Sequence, residues 1–104
     1  MAADKAFLEK VTVLLSPLGN ISSRPMFGGY GIFSEGNMFA LISGSALFFK
    51  ADDSNMAAYK EAGSLQYKPM PYYEVPGQVL NDKSKLHDWA RLSIAVAASG
   101  KKKK

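Results

Sequence analysis

The chain has no cysteine, one histidine and one tryptophan among its 104 residues. Without cysteine there is no disulfide framework, no thiolate nucleophile and no thiolate-ligated zinc. The single histidine, His87, has Asp88 beside it but no cluster of acids at metal-ligand spacing, and no serine sits in a GxSxG turn. Neither a metal centre nor a nucleophile with its base can be assembled from such parts, so no catalytic residue, metal or cofactor is expected. Long hydrophobic runs are also missing. Nothing approaches the roughly 18 apolar residues of a membrane span. The opening MAADKAFLEK is broken by Asp4, Lys5, Glu9 and Lys10, unlike a secretory signal. A cytoplasmic protein without membrane contact is the expectation.

An excess of charge is missing too, once its position is considered. The formal net charge is +4, but four of the thirteen basic residues are the terminal Lys101, Lys102, Lys103 and Lys104. Nine basic residues then face nine acidic ones in residues 1–100, so the body has no net field to draw in a polyanion. The reading is one domain over 1–100 and a flexible lysine tail over 101–104, since this length supplies a single core.

What is present is periodicity. Phe7, Leu8, Val11, Leu14, Leu15 and Leu18 recur at the three-and-four spacing of one apolar stripe, which predicts a helix over about residues 4–17, stopped by Pro17 and Gly19. From Arg24 the period shortens. Met26 to Phe33, Met38 to Ile42 and Leu47 to Lys50 are separated by Ser34-Glu35-Gly36-Asn37 and Ser43-Gly44-Ser45, a pattern that predicts an antiparallel meander. The middle run is apolar on both faces, which raises the expectation of a second subunit and hence a homodimer. A short helix over Asn55 to Ala62 with Asp53 or Ser54 as cap follows, then strands at Leu65 to Tyr67 and Tyr72 to Val75, closed by Pro76-Gly77. A last helix from about Asp82 to Ser99 carries Leu86, Trp89, Ala90, Ser93, Val96 and Ala97 on one face. The expected fold is α+β, a five-stranded antiparallel sheet with helices in the order α-β-β-β-α-β-β-α.

The motif that invites a chemical reading is Gly28-Gly29-Tyr30-Gly31. A phosphate-cradling loop must open a helix, and this one leads into Ile32-Phe33 and a turn, with neither GxGxxG nor GxxxxGK[ST] spacing. Glycine is therefore expected here for a bulge or a close backbone approach within a strand. His87 points away from the apolar stripe of its helix and is expected at the surface. The acids Asp52, Asp53, Asp82 and Asp88 lie at helix starts, where caps and dipole contacts account for them.

Arg24, Tyr30, Tyr72 and Glu74 are candidate partner-binding residues, Tyr72 and Glu74 as exposed side chains of an edge strand. Lys50 and Lys68, each next to aromatics, join Lys101 to Lys104 as candidate nucleic-acid contacts, a thin version of an interleaved basic and aromatic face. A small-molecule pocket near Tyr30 or Tyr73 is the third possibility.

The segment RPMFGGYGIF, followed by NMFALI, Leu47-Phe48-Phe49-Lys50-Ala51-Asp52, Tyr72-Tyr73-Glu74-Val75-Pro76 and LHDWA, resembles the N-terminal domain of the TfoX/Sxy family. These are bacterial regulators associated with natural competence, and the resemblance runs from about Phe7 to Ala98. It implies an α+β domain similar to the secretion-chaperone-like arrangement, with no catalytic residues. It also implies a role in transcription, exerted through protein contacts at competence promoters in concert with the transcription machinery and the cyclic-AMP receptor protein. Full-length members carry a second, C-terminal helical domain, so the expectation is a stand-alone N-terminal domain or one excised from a longer regulator.

Overall fold

The computed structural model describes residues 5–26, 28–67 and 71–102, with side chains described as far as residue 98. The first apolar stripe forms helix α1, Lys5–Leu15, which buries Val11 and Leu15 and leaves Val13, off the stripe, 70% exposed. It ends two residues before the expected boundary because Pro17 sits inside a single 3-10 turn, Ser16–Leu18. Gly19, at φ +85°, then redirects the chain with its amide donating to the Ser16 carbonyl.

The sheet has five antiparallel strands in the order β1-β2-β3-β4-β5, formed by Ile21–Met26, Gly29–Ser34, Asn37–Ser43, Ala46–Lys50 and Tyr72–Glu74. Its α+β class and strand number are those expected, but the strands are not all in the expected places. The apolar run beginning at Met26 is not one strand: it breaks at Gly28, whose φ of +73° makes a turn, and Met26 pairs back onto Gly29. Polar Ile21–Met26 thereby becomes β1, an edge strand, where exposed serines, an arginine and a proline are tolerated. At the other end Leu65 to Tyr67 is no strand. It touches β5 through a single bridge, Gln66 to Tyr73, flanked by Tyr67 N to Tyr72 O at 2.8 Å and Glu74 N to Leu65 O at 2.9 Å. The observed order is therefore one helix, four strands, a helix, a strand and two helices.

Helices α2, Met56–Glu61, α3, Gly77–Leu80, and α4, Lys83–Lys102, complete the chain. The turn before α2 is organised by Asp52 and Asn55, not by Asp53 or Ser54: Asp52 Oδ1 accepts from the Ser54 amide and hydroxyl, while Asn55 Oδ1 accepts from the Asp52 amide at 2.8 Å. Asp82 behaves as expected, its Oδ1 accepting from the Lys85 amide at the start of α4. Helix α4 continues past Ser99 and takes in Lys101 and Lys102 of the expected tail, whereas Lys103 and Lys104 lie outside the described residues.

One sheet face meets the helices. Val11, Leu15, Ile32, Phe39, Ile42, Phe49, Tyr59 and Leu86, each at most 1% exposed, form this main core. Burial of each large side chain contributes on the order of 1.5–3 kcal/mol. The opposite face carries a smaller cluster of Leu41, Phe48 and Tyr72, with Tyr67 laid over it at 5.4 Å from the Phe48 ring. Both faces of β3 are apolar as expected. Within one chain, however, Leu41 is already 0% exposed, so the sheet does not need a second subunit to bury it.

Candidate functional site

The glycine segment holds strands together. A Cβ on Gly29 would lie 2.0 Å from the Ile42 carbonyl oxygen, so only glycine lets β2 approach β3 there. At Gly31 the same atom would meet the sulfurs of Met26 and Met38 at 2.8 and 3.1 Å, on the helix-free face. These are the close approaches expected from the sequence. The register irregularity falls one step later, between Ile32 and Phe33. No helix begins at the segment, and the amides of β2 are engaged with β1 and β3.

The strand register gathers most of the candidate binding residues on the helix-free face. Arg24, Gly31, Leu41, Phe48 and Glu74 form one row across all five strands. Four strand spacings separate the guanidinium end from the carboxylate end, about 19 Å. Lys50 and Tyr72 pair directly across β4 and β5 on the same face. Tyr30 is placed elsewhere: it is half-buried and packs against the main core on the helix side.

These residues differ in access. Arg24 is exposed, and its guanidinium lies 5.0 Å from the centre of the Phe33 ring, a cation–π contact that holds it over β2. Tyr72 is not the exposed side chain expected. It is 3% exposed, its hydroxyl donates over 3.4 Å to the Met38 carbonyl, and burial pushes its phenol above the ordinary value. Glu74 is half-buried and Lys50 likewise, so Arg24 is the accessible end of the row. Lys68 lies outside the described residues, as do the side chains of Lys101 to Lys104.

The sheet's two edges are unlike. The outer edge of β5 is closed by the Leu65 to Tyr67 segment, whereas among the described residues β1 has no neighbouring strand on its outer side. Ser22, Ser23, Arg24 and Pro25 are all exposed along it. A proline in a paired strand must turn its nitrogen away from its neighbour, so Pro25 faces outward, and the amide of Ser23, two residues earlier, faces outward with it. The sequence hides this edge because the residues before MFGG alternate weakly and are polar. Pro25 within such a stretch, followed by two glycines, is the signal that identifies it.

Among the described residues no group of three or more His, Cys, Asp or Glu is placed to hold a metal ion. His87 is not at the open surface: it is half-buried, and its Nε2 lies 2.7 Å from the Leu14 carbonyl, tying α4 to the end of α1. Asp88 is exposed and pairs with Arg91 at 3.4 Å. Cavities of about 420 and 160 Å³ lie beside α4, and neither is lined by Tyr30 or Tyr73. No helix among the described residues is long and apolar enough to cross a membrane.

A five-stranded antiparallel sheet with helices on one face defines a small α+β domain. The chain belongs to the TfoX N-terminal domain family, whose sequence pattern it matches over residues 13–97. It is similar to the DNA transformation protein TfoX1 of Aliivibrio fischeri, with 32% identity over 60 residues. That alignment takes in 58% of this chain and 29% of the relative, so the chain spans well under two thirds of that protein's length.

Proposed function

We propose that this domain is a non-enzymatic regulatory module that acts in transcription through protein contacts, and that the free edge of β1 is its docking surface. The observation that carries the proposal is the asymmetry of the sheet, in which β5 is closed by its own chain and β1 is left open with Arg24 beside it. An extended segment of a partner pairs with the outward backbone groups of β1, and Arg24 favours an acidic residue in that segment. The neutral body supports protein contact over reading of DNA, because phosphate binding requires a local excess of cations. Membership of the TfoX family, together with the transformation protein it resembles, supports a role connected with competence.

The test uses the cyclic-AMP receptor protein as the partner implied by the family. Ser23→Pro removes an outward amide without touching the bonds to β2, and Arg24→Glu reverses the charge. Each is expected to weaken binding by about tenfold or more while leaving the fold intact. Binding unchanged by both substitutions would move the docking surface away from β1. If instead duplex DNA binds, and does so only with Lys101 to Lys104 present, the tail is the functional element, with Lys50 and Lys68 next to be tested.

A further inference from the structure

We propose that the helix-free face of the sheet binds a second copy of this chain, face to face about a two-fold axis. The inference goes beyond docking at β1 and uses a different surface, the flat of the sheet instead of its edge. Arg24 alone belongs to both.

This face is apolar beyond what its own chain covers. Leu41, Phe48 and Tyr72 are buried in it, but Met26, Phe33, Met38 and Tyr67 around them keep part of their surface open. Among the described residues, Tyr67 is the one side chain from outside the sheet that packs on the cluster. Gly31 brings no side chain, and the sulfurs of Met26 and Met38 converge over it. Thioethers make a soft surface that adapts to a partner.

The charges on the face select the occupant. The row from Arg24 to Glu74 carries a guanidinium at one end and a carboxylate at the other, about 19 Å apart. Among the described residues the Glu74 carboxylate has no ion pair and no side-chain hydrogen bond. The Arg24 guanidinium rests over the Phe33 ring, a contact that leaves its N–H donors unspent. A two-fold axis running along β3, between two copies, reverses the row, so Arg24 of each copy meets Glu74 of the other and Leu41 lies over Leu41. An axis across the strands would set Arg24 against Arg24, so the charges also fix the orientation. Lys50 shares the Glu74 end but stands two residues along β4. The same operation sets it opposite Phe33, whose ring face accepts a cation. Packed sheets lie about 10 Å apart, a gap that arginine and glutamate side chains bridge together. The face spans about 19 Å across the strands and about 17 Å along them, less than half of the roughly 800 Å² that each partner gives a standard interface. The dimer is accordingly weak, with a dissociation constant of about 100 μM.

Sedimentation of the full chain between about 10 μM and 1 mM is the test. The mass is expected to rise from 11.3 kDa toward twice that value. Arg24→Glu and Glu74→Arg each oppose like charges across the axis and should weaken self-association by about tenfold or more. An equimolar mixture of the two variants restores both ion pairs, so it should associate at least as well as the native chain, which also shows that neither variant is unfolded. Ser23→Pro should leave self-association unchanged, and Glu74→Arg should leave docking at β1 unchanged, so the two surfaces fail separately. A native chain that stays at 11.3 kDa to the top of that range overturns the proposal, as does a mixture that stays monomeric. Self-association lost with Ser23→Pro overturns it in favour of pairing at the β1 edge.

Discussion

Substitution of Gly29 by alanine isolates the role of the glycine segment. The added methyl carbon would stand 2.0 Å from the Ile42 carbonyl oxygen and 3.1 Å from its carbon, both backbone atoms. An ordinary carbon-to-oxygen contact is near 3.3 Å, so β2 and β3 must separate locally by about 1.3 Å. Tyr30 lies opposite Ile42 in that register, and the separation strains the ladder there. Overpacking costs about 1–3 kcal/mol and a weakened ladder bond about 1 kcal/mol more. A total near 3 kcal/mol lowers the melting temperature of a domain this size by about 12 °C. Two neighbours serve as controls. At Gly28 a Cβ meets nothing within 4 Å, and only the φ of +73° opposes it, a cost of about 1 kcal/mol. At Gly31 it meets the ends of two flexible methionines, which can move aside at a cost below about 1 kcal/mol. Urea unfolding of the three variants should rank Gly29→Ala far below the others, with unchanged denaturant slopes. If Gly29→Ala lost no more than Gly28→Ala, the close approach would not be what requires glycine there.

Three further outcomes follow from the side chains. His87→Ala removes the bond to Leu14 O between α4 and α1 and should cost about 1–2 kcal/mol, visible first as faster amide exchange at the end of α1; a variant with wild-type exchange would show that the helices are held by packing alone. Asn55→Ala strands the Asp52 amide and the Lys50 carbonyl inside the turn before α2, so a loss of about 1–3 kcal/mol is expected in urea, and a neutral result would contradict that turn's hydrogen bonding. Burial raises the Tyr59 and Tyr72 phenols above the ordinary 10.0, Tyr59 the more strongly despite the moderating Ser93 hydroxyl. Below that pH both states keep the proton; above it the unfolded chain releases protons that the folded chain retains, so stability falls as pH rises. Tyr59→Phe combined with Tyr72→Phe should flatten this alkaline fall, and an unchanged pH profile would place its cause elsewhere.

The parts of the fold that were legible are those where burial and period coincide. The stripe of α1, the turns Ser34 to Asn37 and Ser43 to Ser45, and the stripe of α4 each bury one face, and their patterns survive in the structure. Failure came where burial is one-sided or absent. Ile21–Met26 shows no apolar alternation because an edge strand facing solvent needs none. MFGGYGIF reads as one continuous strand because its turn is made by a glycine among apolar residues, with no polar interruption. Leu65 to Tyr67 has strand-like residues but pairs at a single bridge, its Leu65 left 70% exposed.

The places of the candidate binding residues were not legible. Register brings Arg24, Lys50, Tyr72 and Glu74 to one face, which no local pattern predicts, because they come from three strands brought together only by the sheet's pairing. Tyr72 illustrates the limit. An aromatic on a short strand reads as an exposed contact residue, and only the tertiary packing of Leu41, Phe48 and Tyr67 shows it to be core. His87 failed for a related reason: its partner, the Leu14 carbonyl, is 73 residues away in sequence.

Binding of the purified chain to duplex DNA and to the cyclic-AMP receptor protein, measured side by side across a salt series, tests the central claim most directly. The account predicts binding to the protein that Ser23→Pro weakens by about tenfold or more, and no appreciable affinity for free duplex near physiological salt. Tight duplex binding that falls steeply with salt and ignores Ser23→Pro would contradict it.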